Sequence, residues 1–352
     1  PSLKQNGRTL DISTEQGSAS TIRVGAFHPY LCYEAEFSAL SENEEAGITF
    51  YPNEGTGKRI RIVYRNGEIV SLANDEILAR KSIGECDKVS LRVQYTGVRF
   101  HVFNLRENGN ADLLYSVEND MRAVESCTTH SFGIYAKGNI TLHKAQSALT
   151  CGTGQADPQI IQTTDGQPLI RDGRLYICFT TRGFERIFDS YQGIYSLDLA
   201  SYELRLEGAM FFGKGDGLMY GFHATKVVYN PSTEEFLVMT TTHEDTHTLA
   251  YCSTKSDLLH GLHRRRCGLA PALQDTTQAI QGGYLDTYLH CYASSNSRCS
   301  PSNSAVTVPQ VFLCSLAIVL RMAATVDFFA FSLGLAGSIC PVYMSAKPCG
   351  CQ

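Results

Sequence analysis

The sequence predicts an all-β fold, and three observations lead to this prediction. From Tyr33 to about His143, short segments alternate apolar and polar residues with a period of two, as strands of a half-buried sheet do. Turn-forming pairs such as Asn66-Gly67 separate these segments. After residue 150, two similar units of short strands follow each other at a spacing of about 65 residues. We therefore expect sheets on both sides of residue 150.

The length of the chain predicts two domains. Its 352 residues exceed what one hydrophobic core usually supports. Polar residues and two glycines interrupt the strand pattern between Gln146 and Gln155. We place the boundary near Thr150, with one domain over residues 1–150 and a second over residues 151–352. The pattern of the second domain becomes irregular after about residue 263.

Composition and charge limit the classes of partner. With 30 basic and 35 acidic side chains and a net charge of −5, the chain has no basic stripe to neutralise phosphates, so we expect no nucleic-acid partner. Eight of the 13 cysteines follow residue 250, and the odd number leaves at least one of them unpaired within the chain. Tryptophan is absent, so the 18 tyrosines would have to supply any large aromatic binding platform.

A β-hairpin is the strongest local signal in the first domain. The run 60–70 places Asn66-Gly67 between two β-rich segments, and these two residues tolerate the positive φ that a tight turn needs. Residues 91–95 alternate apolar and polar side chains, and residues 98–103 alternate again. Such a meander must pack against a second sheet to bury its apolar face, which predicts a β-sandwich.

Three further segments of the first domain, 33–37, 46–50 and 131–136, have the same strand character. Together they resemble the concanavalin-type jelly roll that is often appended to glycoside hydrolases, over about 110 residues. The resemblance implies a jelly-roll β-sandwich for residues 1–150.

The second domain contains two successive rounds of short strands. Each round is unable to bury both of its faces alone, which is typical of adjacent blades of a β-propeller. The segments are 156–161, 172–181 and 193–199 in the first round, and 223–229, 235–242 and 248–254 in the second.

The order of these motifs resembles the first blades of the five-bladed β-propeller of the family 43 glycoside hydrolases, over roughly residues 150–262. In that family the Asp before a Pro is the general base, which the resemblance assigns to Asp157. Asp286 stands in a segment that looks like the one holding the carboxylate that tunes the acid. His223 begins a His-Ala-Thr segment where those enzymes often carry Trp-Ala-Pro. The resemblance implies a sandwich followed by a five-bladed β-propeller, whose completeness the sequence leaves open.

Glycosidic cleavage needs two converging carboxyl groups, one to protonate the leaving oxygen and one to activate a water molecule or carry negative charge. The family places its general acid, a glutamate, in a later blade, and Glu244 is the last glutamate of this chain. Glu244 lies between His243 and His247 in a match to the His-Glu-x-x-His zinc signature. That signature needs a helix, whereas this stretch joins two strands, so we expect neither a metalloprotease nor a metal site.

Further candidate contacts to a substrate are His223, His243, Arg182 and Tyr220. The two histidines fit equally a role as solvated loop or core-edge residues. Asp157 is likewise compatible with a simple turn, and Asp286 with an ordinary loop acid. We expect no cofactor, although a calcium ion in the channel, as some relatives carry, is compatible with the resemblance.

The pattern is lost after Arg264, because the remaining sequence contains no glutamate and only three aspartates, which fits a frameshifted or mispredicted coding sequence. The apolar run 311–320 is too short to span a bilayer. The chain begins at Pro1 without a readable targeting signal.

These observations predict a secreted or periplasmic glycoside hydrolase-like protein that cleaves a polysaccharide or oligosaccharide. The alternative is a non-catalytic carbohydrate-binding protein or pseudoenzyme. A third possibility is an incomplete propeller held by a partner, because open sheet edges invite association. The sugar, exo or endo action, the disulfide pairing and the oligomeric state are not indicated.

Overall fold

The computed structural model describes residues 1–269, except residues 39–40, 42, 56, 150–151, 153, 184–189 and 243–248. The described part is almost entirely β-structure, with one short helix, α1 (Ser126–Thr129). The predicted all-β fold is therefore confirmed. The predictions for residues 311–320 and for the rest of the chain after residue 269 lie outside the described residues. No helix of the described part has the length and apolar character to cross a membrane.

Strands up to residue 148 form two sheets. Their bounds are β1 (Ser2–Asn6), β2 (Thr9–Ser13), β3 (Ser20–Ala26), β4 (Cys32–Ser38), β5 (Glu45–Pro52), β6 (Ile60–Arg65), β7 (Glu68–Ala73), β8 (Glu76–Ser82), β9 (Lys88–Tyr95), β10 (Arg99–Leu105), β11 (Ala111–Glu118), β12 (His130–Lys137) and β13 (Asn139–Ala148). One sheet has the order β1-β2-β13-β4-β9-β10-β11, and the other has the order β3-β12-β5-β6-β7-β8.

The two sheets form a β-sandwich, as the alternation of the sequence predicts. Every second residue of β4 and β9 belongs to the apolar core between the sheets, because successive side chains of a strand point to opposite faces. Phe27, Phe50 and Tyr95 meet edge to face in the core, with ring centroids 5.0–5.3 Å apart. The predicted hairpin joins β6 to β7, and Asn66 and Gly67 adopt φ angles of 47° and 75°. Apolar burial between two sheets therefore stabilises this region.

Strands after residue 153 form two further sheets. Their bounds are β14 (Gly154–Ile160), β15 (Gln162–Thr163), β16 (Ile170–Arg171), β17 (Arg174–Arg182), β18 (Ser190–Asp198), β19 (Leu204–Gly213), β20 (His223–Asn230), β21 (Glu235–Thr241), β22 (Leu249–Thr254), β23 (Gly261–Arg266) and β24 (Gly268–Leu269). The first sheet has the order β14-β17-β18-β19-β23, with β16 beside β17, and the second has the order β15-β20-β21-β22-β24.

Each C-terminal sheet is an antiparallel meander with one parallel strand added at its edge. In the first sheet β23 pairs in parallel with β19, and in the second β15 pairs in parallel with β20. The two rounds of strands predicted from the sequence thus form two separate sheets. Side chains of both sheets, including Ile194, Met210, Val227 and Val238, share one apolar cluster. The two meanders therefore pack against each other.

The sandwich and the C-terminal sheets meet at a buried aromatic contact, and the described residues of 1–105 and 112–269 belong to one compact unit. Tyr30 packs on Phe211, with ring centroids 4.8 Å apart, and its hydroxyl donates to the Met219 carbonyl at 3.0 Å. The Val124 amide donates to the Gly217 carbonyl at 2.8 Å. Apolar burial and backbone hydrogen bonds together fix the two regions relative to each other.

Candidate functional site

Asp157 lies on β14 where that strand bulges. The register to β17 slips between Ala156 and Gln159, so the intervening residues have no partner in the ladder. Asp157 adopts a φ of 52°, a left-handed conformation that aspartate tolerates better than most residues. Its side chain is 27% exposed. The bulge thus aims a carboxylate out of the regular sheet and keeps it within reach of solvent.

Arg182, at the end of β17, is the ion-pair partner of this carboxylate. Its Nη2 lies 3.5 Å from Asp157 Oδ2, and its side chain is 40% exposed. Because both groups are partly exposed, the pair contributes little to stability, about 0–1 kcal/mol. It does present a carboxylate and a guanidinium side by side, which together can accept and donate hydrogen bonds to neighbouring hydroxyl groups.

The beginning of β20 repeats the geometry of β14. Its register to β21 slips between His223 and Lys226, and Phe222 and Ala224 have φ angles of 45° and 49°. Alanine tolerates this conformation less readily than aspartate or glycine. The first long strand of each C-terminal sheet therefore contains a bulge with a left-handed residue, and β14 and β20 are in contact.

Buried polar side chains of the first C-terminal sheet hold the start of β20. Gln192 Nε2 donates to the Phe222 carbonyl at 2.8 Å, and Thr180 Oγ1 accepts from the Ala224 amide at 3.0 Å. Gln192 and Thr180 are fully buried, and Gln192 Nε2 donates to Thr180 Oγ1 at 3.3 Å. We name these two side chains with Ser190 and His223 the inter-sheet polar cluster. The cluster satisfies one backbone group within the bulge, the Ala224 amide, and one just before β20, the Phe222 carbonyl.

His223, predicted as a substrate contact, is buried within the inter-sheet polar cluster. Its side chain is 2% exposed, and its Nε2 lies 3.3 Å from Ser190 Oγ. Its carbonyl accepts from Thr240 Oγ1 at 3.0 Å. His223 is therefore placed to position the β20 bulge, while its contact with a substrate stays a prediction.

Tyr220, also predicted as a substrate contact, has its ring in contact with other side chains. The Phe222 ring stacks on it at 5.5 Å, and Lys214 Nζ lies 4.3 Å from its centroid. Its hydroxyl donates to Asp216 Oδ2 at 2.5 Å. The ring is thus engaged in stacking and cation–π contacts. The Arg122 guanidinium also lies over this ring, 5.2 Å from its centroid, so a sugar could stack on it only by displacing one of these groups. The role of Tyr220 as a substrate contact stays a prediction.

The predicted residues Glu244, His243, His247 and Asp286 lie outside the described residues. The structure therefore brings together Asp157 and Arg182 of the predicted set. Within the described part, no group of three or more His, Cys, Asp or Glu side chains could hold a metal ion.

Sequence reasoning missed Lys226, Gln192 and Thr180. Lys226 Nζ is within 3.2 Å of the Ile160 carbonyl and 2.5 Å of Gln162 Oε1, so it ties β20 to the end of β14. The signal for Gln192 and Thr180 was a polar residue that directly follows an apolar or aromatic one within a strand. Such a residue needs a buried partner, but the sequence does not reveal that the partner is the β20 backbone.

No protein-family model matches the chain, and no curated protein matches it. Solved structures with similar folds include the carbohydrate binding module CBM66 from Bacillus subtilis, at 11% identity and a TM-score of 0.33, over 42% of this chain and 90% of that chain. The Ca2+/Man3GlcNAc-bound exoplasmic/lumenal domain of VIP36 matches at 15% identity and a TM-score of 0.33, over 42% of this chain and 81% of that chain. The GH43 BlXynB protein from Bacillus licheniformis matches at 16% identity and a TM-score of 0.33, over 40% of this chain and 33% of that chain. These similarities are too distant to assign an activity.

Proposed function

We propose that this chain is a glycoside hydrolase-like protein that binds a carbohydrate at Asp157, with Asp157 as the general base. The observation that carries the proposal is the placement of this carboxylate at a strand bulge, in a left-handed conformation and partly exposed beside Arg182. Backbone strain of this kind costs on the order of 1 kcal/mol and concentrates at functional sites. The Asp-Pro motif that resembles the family 43 hydrolases falls on this bulge.

The neighbouring groups support carbohydrate chemistry at this point. A general base activates a water molecule, and a partly exposed carboxylate is accessible to water and to sugar hydroxyls. The Arg182 guanidinium offers several donors next to it. The inter-sheet polar cluster fixes the neighbouring bulge of β20, which limits movement of the surface next to Asp157. In this proposal Asp286 is the carboxylate that tunes the general acid, and Glu244 is a further catalytic candidate, with the residue that serves as general acid left open.

The second candidate is a non-catalytic carbohydrate-binding protein. The Asp157–Arg182 pair favours it, because a carboxylate beside a guanidinium suits hydrogen bonding to sugar hydroxyls without any second carboxyl group. The two candidates share the same site and differ in product formation. For either one, we propose a secreted or periplasmic location, where polysaccharides are available, and calcium binding stays a prediction.

The test compares Asp157→Asn with Asp172→Asn on a panel of arabinosides and xylosides. Asp172 is a matched control, because it is also left-handed at φ 51° but lies in the turn between β16 and β17, at the other end of β17 from Arg182. Asparagine tolerates the same conformation, so both variants should fold. We expect turnover to fall by about 100-fold or more for Asp157→Asn and to stay within about twofold for Asp172→Asn.

Two other results are informative. Saturable binding without product, lost in Asp157→Asn and kept in Asp172→Asn, would select the non-catalytic candidate. Turnover and binding that are the same in both variants and the unmodified protein would overturn the proposal.

A further inference from the structure

Cys252 lies on β22, and Cys267 is the residue directly before β24, the neighbour of β22 in the second C-terminal sheet. In the antiparallel pairing of β22 and β24, Ala250 faces Leu269 and Tyr251 faces Gly268. One further step along this register places Cys252 opposite Cys267. Directly opposite residues of an antiparallel pair point to the same face, with Cβ atoms about 4.5–5.5 Å apart. The two side chains are close enough for each thiol to shift the pKa of the other.

The surroundings of this pair differ from those of other described cysteines. Cys267 is 8% exposed and belongs to the apolar cluster of the C-terminal sheets, and Cys252 packs against the same cluster. By contrast, Cys86 Sγ donates to the Gly84 carbonyl and Cys178 Sγ contacts Gln192 Oε1. The 252–267 pair thus has both side chains at one apolar cluster, on two segments of backbone whose adjoining residues the sheet already holds in register.

We propose that Cys252 and Cys267 form a cross-strand disulfide bond when the protein meets a low-molecular-weight disulfide such as oxidised glutathione. The bond would join β22 to the segment that follows β23. It would close the loop 253–266 and fasten β23, whose only described ladder partner is β19, to the second sheet.

Cys252 is the first nucleophile of the exchange. The neighbouring Cys267 thiol, with the nearby Arg265 guanidinium, holds the pKa of the Cys252 thiol below its ordinary value. The Cys252 thiol and burial raise the pKa of Cys267. A thiol with a lowered pKa that is not fully buried forms the attacking thiolate more readily.

The exchange balances in two steps. The Cys252 thiolate attacks one sulfur of oxidised glutathione, which forms a mixed disulfide and releases one glutathione thiolate. The Cys267 thiolate then attacks the Cys252 sulfur and releases the second glutathione thiolate. Two protein thiols lose two electrons and two protons, and one glutathione disulfide gains them to become two glutathione molecules.

The experiment incubates the full chain with oxidised glutathione, blocks the remaining thiols by alkylation and maps cross-linked tryptic peptides by mass spectrometry. We expect the peptide that contains Cys252 to be linked to the peptide that begins at Cys267, with fragment spectra placing the bond at Cys267 and not at Cys291 of the same peptide. We also expect Tm to rise by on the order of 5 °C. Dithiothreitol should reverse both effects. Absence of the 252–267 link, or links of Cys252 to other cysteines instead, would overturn the proposal.

Variants separate this bond from oxidation elsewhere in the chain. Cys252→Ser and Cys267→Ser should each lose the rise in Tm on oxidation, whereas the control Cys86→Ser should keep it. If a variant folds poorly, the peptide map of the unmodified protein still decides the matter. A rise in Tm that persists in Cys252→Ser would contradict the assignment.

Discussion

The sandwich and the C-terminal sheets bury different kinds of side chains at their centres. The sandwich core is an apolar cluster rich in aromatic rings, of which Phe50 contacts several. Between the C-terminal sheets, the apolar cluster adjoins buried Gln192 and Thr180, which hold the backbone at the start of β20. Apolar burial stabilises a fold without specifying one geometry closely, whereas a satisfied polar network fixes particular atoms. The region with the fixed atoms is the one that carries Asp157.

The largest expected effect lies in the sandwich core. Phe50→Ala should lower the free energy of unfolding by about 3–5 kcal/mol, because it removes a ring that is 1% exposed and leaves a cavity. Urea denaturation measures the change, and Leu3→Ala, at a residue 52% exposed, is the control. A loss below about 1 kcal/mol would show that the core can repack around the cavity.

Gln192→Ala is the corresponding change between the C-terminal sheets. It removes the shorter of the two hydrogen bonds to the buried Phe222 carbonyl, which keeps a 3.4 Å bond from Ser190 Oγ, and it removes the contact to Thr180 Oγ1. We expect a loss of about 2–3 kcal/mol in urea denaturation. We also expect weaker carbohydrate binding, which Phe50→Ala should leave unchanged wherever that variant is folded. Equal effects of the two variants on binding would remove the contrast between the regions.

The contact between the two regions should depend on pH through His28. Burial lowers the pKa of His28 from 6.5 to about 4, and its Nδ1 accepts a hydrogen bond from the Tyr30 amide at 3.3 Å. The unfolded chain therefore binds more protons than the folded protein between pH 6.5 and pH 4. The contribution of neutral His28 to the free energy of unfolding is thus present above pH 6.5 and is lost as the pH falls towards 4. We expect a loss of about 2 kcal/mol between pH 7 and pH 5.

His28→Gln tests that dependence by urea denaturation at several pH values. Burial also lowers the pKa of His101 in the sandwich to about 4. The variant should therefore remove part of the dependence of the free energy of unfolding on pH and leave the part that comes from His101. An unchanged slope in His28→Gln would show that protonation of His28 does not loosen the contact.

The smallest effect concerns backbone strain. Ala224→Gly should raise the free energy of unfolding by about 1 kcal/mol, because glycine relieves the left-handed conformation that alanine holds at φ 49°. Asn66→Gly in the sandwich hairpin should change the free energy of unfolding by only a few tenths of a kcal/mol, since asparagine tolerates the left-handed conformation. Thermal denaturation compares the two. A larger gain at Asn66 would mean that the strain is not concentrated beside the candidate site.

Strands with one apolar face could be predicted from the sequence, and others could not. β4 and β12 match their predicted segments within one residue at each end, whereas β9 ends where predicted and begins three residues earlier. β1 was missed because all of its residues are exposed, and β8 because only one of its residues is even partly buried. Neither strand needs an apolar stripe, since each lies at the edge of a sheet.

The candidate site was predictable in part. The Asp-Pro motif indicated Asp157, but its left-handed conformation and its pairing with Arg182 depend on a slip in register that the sequence does not show. The roles of Gln192 and Thr180 depend on the approach of β20 from another sheet. Interactions between residues distant in sequence therefore limit what the sequence reveals about this site.

The most direct measurement is a crystal structure of the full chain with the oligosaccharide that binds most tightly in the panel. We expect a sugar hydroxyl or the glycosidic oxygen within hydrogen-bond distance of the Asp157 carboxylate or the Arg182 guanidinium. A sugar bound only on the sandwich, with Asp157 and Arg182 still paired and away from it, would contradict a functional site at the β14 bulge.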